Sequence, residues 1–247
     1  MRRALLAILA VTSMGCSRAR VERPGTVVCV HGFLRTRANT WAAAAALRRD
    51  GWRVVNWGYA SRAKIIQDHA GDLVQRLKDI AAAHPGEPVS FVTHSLGGLV
   101  VRAALNRPDC PAEARRGRAV LLAPPNRGSA LARKLSGAAP VRWVFGRHAG
   151  RELMETPEDG FDALGVFPDS CEVLVLAGAA GANPWIPGPD DGKVGVEETR
   201  LRTAHAHRRV KAGHSWIAWS PETIRVVRRF LEGGGQAWRS QSRRILG

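Results

Sequence analysis

The stretch Phe91-Val92-Thr93-His94-Ser95-Leu96-Gly97-Gly98-Leu99-Val100 constrains the fold more than any other. It opens as the end of an uncharged, β-favouring run from Pro88 and continues as a helix from Gly97 to Leu105. Between the two is one tight turn with Ser95 at its apex. A strand that passes this directly into a helix packs against it, so small residues must flank the turn. Gly97 supplies one, two positions after the serine. Thr93, two positions before, is β-branched and predicts a slightly more open turn.

The same alternation recurs along the chain. Strands are predicted at Thr26–Val30, Trp52–Trp57, Pro88–Thr93, Arg118–Leu122, Cys171–Ala177 and Arg209–Gly213. Helices are predicted from Trp41 to Leu47 behind an N-cap Thr40, from Ser61 to about Ala83, and from Pro221 behind an N-cap Ser220. Such alternation predicts an α/β fold with a mostly parallel central sheet flanked by helices on both faces. Functional groups in such sheets gather at the carboxyl ends of the strands. With 247 residues, 45% of them hydrophobic, and no internal repeat, the chain reads as a single domain over residues 24–247. Residues 136–170 are irregular in pattern and carry Trp143, Phe145, Phe161 and Phe167, which predicts a lid. Those aromatics, with Trp185 and Ile186, would suit an acyl chain, or they are simply core.

A serine hydroxyl is a weak nucleophile until an imidazole takes its proton, and the imidazole needs a carboxylate to fix its tautomer. Of the 8 histidines, His214 follows the last predicted strand on a short loop, Gly213-His214-Ser215, ahead of the final helix. His94 adjoins Ser95 but is expected to point away from it. Asp190 and Asp191 lie on the loop after the fifth strand. The order serine, aspartate, histidine is that of α/β-hydrolases. Either carboxylate meets that order, and the pair could equally open a hairpin. The N–H of Leu96, next to the nucleophile, is placed to donate to an oxyanion.

These segments resemble, in order, the bacterial lipase/esterase-like α/β-hydrolases and the lipid-remodelling deacylases related to them. The resemblance is carried by His31-Gly32-Phe33, Val92-Thr93-His94-Ser95-Leu96-Gly97-Gly98, Pro124-Pro125-Asn126-Arg127-Gly128-Ser129, Asp191-Gly192-Lys193-Val194 and Gly213-His214-Ser215. It implies an α/β-hydrolase fold with Ser95, Asp191 and His214 as the triad. It also implies Phe33 as the second oxyanion donor and a positioning role for the loop at Asn126. The implied activity is serine hydrolysis of carboxylic esters, lipid esters above all or small esters, through an acyl-enzyme and without cofactor or metal. Acyl transfer or amide hydrolysis would use the same residues, and a catalytically silent lipid- or partner-binding envelope protein is the contrasting class.

The N-terminus reads as an export signal over residues 1–16: Met1-Arg2-Arg3, then an apolar run from Ala4 to Val11, then small residues. Gly15-Cys16 resembles a lipoprotein cleavage site, with Ser13 where Leu is usual, so lipidation of Cys16 and ordinary cleavage both stay open. The expected location is periplasmic, secreted or membrane-tethered. Membrane association would use a lipidated Cys16 or the basic surface. The net charge of +16 is spread as arginine pairs with no nucleic-acid motif beside them, so no nucleic-acid partner is expected. Outside the cytosol Cys110 and Cys171 could pair, whereas Cys29 reads as a buried thiol.

Overall fold

In the computed structural model, residues 23–156 and 160–233 are described, so the proposed signal and Cys16 lie outside them. The first strand, β1 (Thr26–Val30), is buried along its whole length. It leads through a loop to α1 (Trp41–Arg49), whose alanines pack on the sheet, and Gly51 ends that helix at φ +90°. β2 (Arg53–Trp57), α2 (Ile66–Ala83), β3 (Val89–His94) and α3 (Leu96–Leu105) follow. After a short α4 (Ala112–Arg115) come β4 (Arg118–Leu122), α5 (Ala130–Leu135), α6 (Ala139–Phe145) and α7 (His148–Glu155). β5 (Glu172–Gly178), β6 (Ala206–Val210) and α8 (Pro221–Gly233) are the last of the described elements.

The described strands form one parallel sheet in the order β2-β1-β3-β4-β5-β6. Alternate residues of the buried strands serve opposite cores. Val28, Val30, Phe91, Leu121 and Val175 face α2 and α3, while Val27, Cys29, Val92, Leu122 and Leu176 face α1 and α8. The chain leaves β1 toward one edge and β3 toward the other. The crevice between their carboxyl ends is therefore the topological switch point, where such sheets hold their ligands.

Three local expectations are corrected. Helix α2 begins at Ile66, not Ser61, because buried Ser61 instead accepts a hydrogen bond from Leu34 N–H at 3.0 Å. The last strand is Ala206–Val210 rather than Arg209–Gly213. It is the sheet edge, paired only to β5, so it lacks the continuous apolar run of an inner strand. Residues 136–170 contain α6, α7 and a 3-10 turn at Asp162–Leu164, with Phe161 and Phe167 buried in the core beside α3. Cys29, Cys110 and Cys171 are all buried free thiols, so the pairing of Cys110 with Cys171 is not formed. Burial pushes the thiols of Cys29 and Cys171 up to about 12.

Candidate active site

The turn at Ser95 is a strained one. Ser95 has φ 51° and ψ −123°, outside the comfortable range of an L-residue. Its N–H continues the sheet ladder by donating to Leu122 O at 2.9 Å, and its carbonyl accepts from Gly98 N–H at 2.9 Å. Left-handed φ values at non-glycine residues occur, among the described residues, only at Leu34, Ser95 and Ala123. They follow β1, β3 and β4, three neighbouring strands, so the strain is concentrated at one crevice.

Two glycines make the turn feasible. A Cβ at Gly97 would stand 2.6 Å from Val30 O and 2.8 Å from His31 O. Hence only glycine lets α3 start this close to β1. The second is Gly98, where a Cβ would lie 3.2 Å from Thr93 Oγ1.

Asp191 and His214 come together across 23 residues. His214 Nδ1 lies 2.7 Å from Asp191 Oδ2, with both side chains nearly inaccessible. A nitrogen facing a carboxylate carries the proton, which leaves Nε2 with a lone pair. The other carboxylate oxygen accepts Lys193 N–H at 2.9 Å and Val194 N–H at 2.8 Å, and His214 N–H donates to Asp191 O at 2.8 Å. Asp190 is occupied elsewhere. Its carboxylate accepts Gly192 N–H at 2.6 Å and Asn183 N–H at 3.1 Å, so it shapes the turn. The hairpin reading thus fits Asp190, and the imidazole contact belongs to Asp191.

Among the described residues no hydrogen bond joins Ser95 Oγ to His214 Nε2. Serine–imidazole bonds are commonly loose before substrate binds. Ser95 and His214 are linked through His94. His94 does not simply point away, as expected from its place beside the serine. Its ring lies 4.8 Å from that of His214, and its Nε2 stands 2.9 Å from His214 O. Facing a carbonyl, that nitrogen must be the donor. Burial and the neighbouring His214 hold the His94 imidazole well below its ordinary value, so it stays neutral. Sequence reasoning missed this role because nothing in the residue order says that the His214 loop folds over His94.

The loop after β1 is held from below. His31 Nε2 accepts Tyr59 N–H at 3.3 Å, so its Nδ1 is the donor to Gly32 O at 2.9 Å. Tyr59 stacks on His31 with ring centroids 4.5 Å apart and donates its hydroxyl to His31 O at 3.0 Å. Gly32 sits against the turn, where a Cβ would come 3.1 Å from that of Ser95. Leu34 N–H is taken by Ser61 and Arg35 N–H by Gly32 O, while neither bond uses the Phe33 N–H. Leu96 begins α3, so its N–H is one of the amides that a helix leaves unpaired. Phe33 and Leu96 thus border the crevice from its two sides.

The loop after β4 braces the aspartate loop. Asn126 Nδ2 donates to Thr199 O at 2.7 Å and Ser129 Oγ to Lys193 O at 3.0 Å. Asn126 in turn meets Arg102, a buried arginine of α3 that also donates to Phe161 O at 2.5 Å. Burial draws that guanidinium down to about 10. An arginine inside the apolar run of α3 was the sequence signal for this brace, and it was overlooked. No cluster of metal-ligating side chains occurs among the described residues.

Two consequences can be measured here. Replacing His94 by Leu is expected to lower kcat by up to about 10²-fold with little change in KM, because His214 loses the donor under its carbonyl. Gln at the same position should recover part of that loss, and equal activity of native and Leu enzymes would remove His94 from the account. The second concerns stability. His31, His69, His94 and His205 are all held below 6.5 by burial, and His207 is drawn to about 4. Above pH 6.5 folded and unfolded chains both carry these rings neutral. Below it the unfolded chain takes up protons that the buried rings refuse, so stability falls as pH drops from 6.5 toward 4. For a ring as buried as His94 the loss is about 1.4 kcal/mol per pH unit until its folded value is reached. Urea midpoints measured from pH 7 to pH 5 should decline, and a flat series would contradict this.

A family model described as serine aminopeptidase, S33, matches residues 22–160. No curated protein matches the chain. The fold is similar to that of Bacillus licheniformis lipase BlEst2 in its propeptide form, with a TM-score of 0.71 and 22% identity over 85% of this chain. The chain spans half the length of that form and 92% of the mature form, where the TM-score is 0.67 and the identity 20% over 84% of this chain. Phospholipase PlaB from Legionella pneumophila is also similar, with a TM-score of 0.57 and 19% identity over 84% of this chain and 60% of that one. At these identities the structures speak for the fold, and the family match covers more than half of the residues. The chain belongs to the serine aminopeptidase S33 family and is an α/β-hydrolase.

Proposed function

We propose that this protein hydrolyses carboxylic esters, with lipid esters as the class it serves, through an acyl-enzyme on Ser95. The observation that carries the reading is the buried Asp191–His214 pair, 2.7 Å apart, joined through the His214 carbonyl to His94, the residue before a serine held in a left-handed turn. His214 Nε2 removes the Ser95 proton as Oγ attacks the ester carbon. Asp191 stabilises the resulting imidazolium without taking its proton. The carbonyl oxygen, now negative, receives the N–H groups of Phe33 and Leu96, and one such donor is worth about 10²–10³ in rate. His214 then protonates the departing alkoxide, and a water deprotonated by the same ring releases the acid.

Support for a lipid ester comes from the lipase and phospholipase among the similar structures and from the apolar residues around the crevice. Phe33 packs on Phe145 of α6 with ring centroids 5.2 Å apart, joining the oxyanion loop to the proposed lid. Amide hydrolysis is the second reading, favoured by the family's own description. A panel of p-nitrophenyl esters of rising acyl length beside aminoacyl p-nitroanilides decides between them. The ester reading expects turnover of the esters, with kcat/KM rising beyond the shortest chains, and little turnover of the anilides. Faster anilide cleavage would replace it. The site of action is proposed to lie outside the cytosol, by the signal at residues 1–16, with Cys16 as a lipid anchor.

A further inference from the structure

Five of the seven tryptophans among the described residues are exposed, and all five are at one end of the molecule. Trp41 follows the loop after β1, Trp143 lies on α6 after β4, Trp185 follows β5, and Trp216 and Trp219 follow β6. Because every described strand is parallel, these connections all emerge at the carboxyl end of the sheet, around Ser95. Trp143 is 78% exposed and Trp216 71%, whereas Trp52 is partly buried at the other end. Leu34 and Val144 are exposed on the same rim. Isolated apolar residues on a surface need no explanation, but a ring of tryptophans around one mouth does.

The rim is also basic in a particular way. From Ser129 to Arg147 the chain carries Arg133, Lys134, Arg142 and Arg147 with no acidic residue. None of the residues of α5 or α6 is buried, so the two helices lie on the surface. Arg142 and Arg147 line an open groove of about 820 Å³ beside Trp143 and Met154; its carboxylate, Glu155, is paired with Arg151, and among the described residues neither Arg142 nor Arg147 has an ion pair. Arg62, whose guanidinium reaches Trp143 O at 2.9 Å, likewise has no ion pair among the described residues, and Lys193 lies within electrostatic reach of Asp191. Several basic residues elsewhere are neutralised by ion pairs: Arg23, Arg53, Arg118 and Arg228 are paired with Glu232, Glu87, Glu172 and Asp50. No described helix is long and apolar enough to cross a membrane.

Tryptophans interleaved with unpaired arginines match a bilayer interface, where the indole sits at headgroup depth and the cation meets an anionic headgroup. We propose that the carboxyl-end face, from Trp143 on α6 to Trp216 beside His214, docks on the surface of an anionic lipid bilayer. Docking in this orientation turns the Ser95 crevice toward the lipid, so an ester could pass from the bilayer without crossing water. The choice of partner rests on the lipid-ester reading, but the docking itself does not need catalysis.

The test uses the chain with Ser95→Ala, so that vesicles are not consumed, sedimented with vesicles at physiological salt. Expected is binding to vesicles of 30% phosphatidylglycerol in phosphatidylcholine and far weaker binding to phosphatidylcholine alone. Adding Trp143→Ala and Trp216→Ala should lower partition about tenfold or more, from the apolar area withdrawn from the interface. Arg142→Glu with Arg147→Glu should lower it by at least about 25-fold, near fivefold for each cation lost. Arg225→Glu with Arg229→Glu, on exposed positions of α8, makes the same change in net charge and should have much less effect. Circular dichroism confirms that each variant is folded. The proposal is overturned by no binding to anionic vesicles, by equal losses from the two arginine pairs, or by tryptophan variants that bind as the parent does. Hydrolysis of a soluble short-chain ester by the Ser95 protein separates the two claims. Vesicle binding without ester turnover would defeat the lipid-ester reading alone, and turnover without binding would defeat the docking surface alone.

Discussion

Ser95→Ala is expected to reduce ester hydrolysis by about 10⁴–10⁶-fold while leaving the urea midpoint within about 0.5 kcal/mol of the parent. The activity loss is large because the covalent route disappears altogether. What survives is the modest effect of holding an ester against the Phe33 and Leu96 N–H groups, and that residue of catalysis should be insensitive to His214. Stability should hardly change, because alanine and serine meet the same penalty at φ 51° and the ladder bond from this residue to Leu122 O is made by the backbone. A variant that kept more than about a tenth of the native rate would show that some other group attacks the ester.

Asp191→Asn and Asp190→Asn form the second pair, and they should part sharply. At Asp191 the amide preserves size but presents either its own N–H or a neutral oxygen to His214 Nδ1. The ring then loses both the tautomer that leaves Nε2 free and the charge that supports the imidazolium. A fall of about 10⁴-fold in kcat is the expected scale. At Asp190 the carboxylate accepts two backbone N–H groups and touches no imidazole. Weakening those charge-assisted bonds should cost stability, about 1–3 kcal/mol, with kcat within about tenfold of native. The reverse pattern would exchange the roles of the two neighbours.

The contrast between these two aspartates also marks how far the sequence can be read. The fold was legible because buried parallel strands write themselves as apolar runs, and β1, β3, β4 and β5 do so. The edge strand β6 is paired on one side only, so its polar residues hid it and the prediction slid toward Gly213. Ser95 was legible because the backbone of a strand–helix elbow dictates local residue types, glycine at 97 above all. His214 was legible from its position on a loop at a strand's end. Asp191 could be separated from Asp190 only by resemblance, since both fit the spacing, and the choice depends on which carboxylate the loop turns inward.

What the sequence could not convey is long-range bracing. Nothing in residue order connects His94 to the carbonyl of His214, Ser61 to the loop after β1, or Arg102 through Asn126 to the aspartate loop. Each of these is a contact between segments that meet only once the sheet has formed. The closeness of Gly98 to Thr93, where a Cβ would lie 3.2 Å from Thr93 Oγ1, is likewise visible only when both sides of the turn are in place. The irregular residues 136–170 read as loop because their helices, α6 and α7, are short, and α6 buries nothing that would impose a period.

The central claim is that Ser95 is a nucleophile activated by His214 and Asp191, and active-site titration with a fluorophosphonate reads it directly. Intact-mass and peptide mass spectrometry of the native protein should find one phosphonyl group per chain, on the peptide that carries Ser95. Labelling should vanish in Ser95→Ala, slow greatly in Asp191→Asn and proceed nearly normally in Asp190→Asn. A native protein that takes up no label, or a label that persists in Ser95→Ala, would contradict the account.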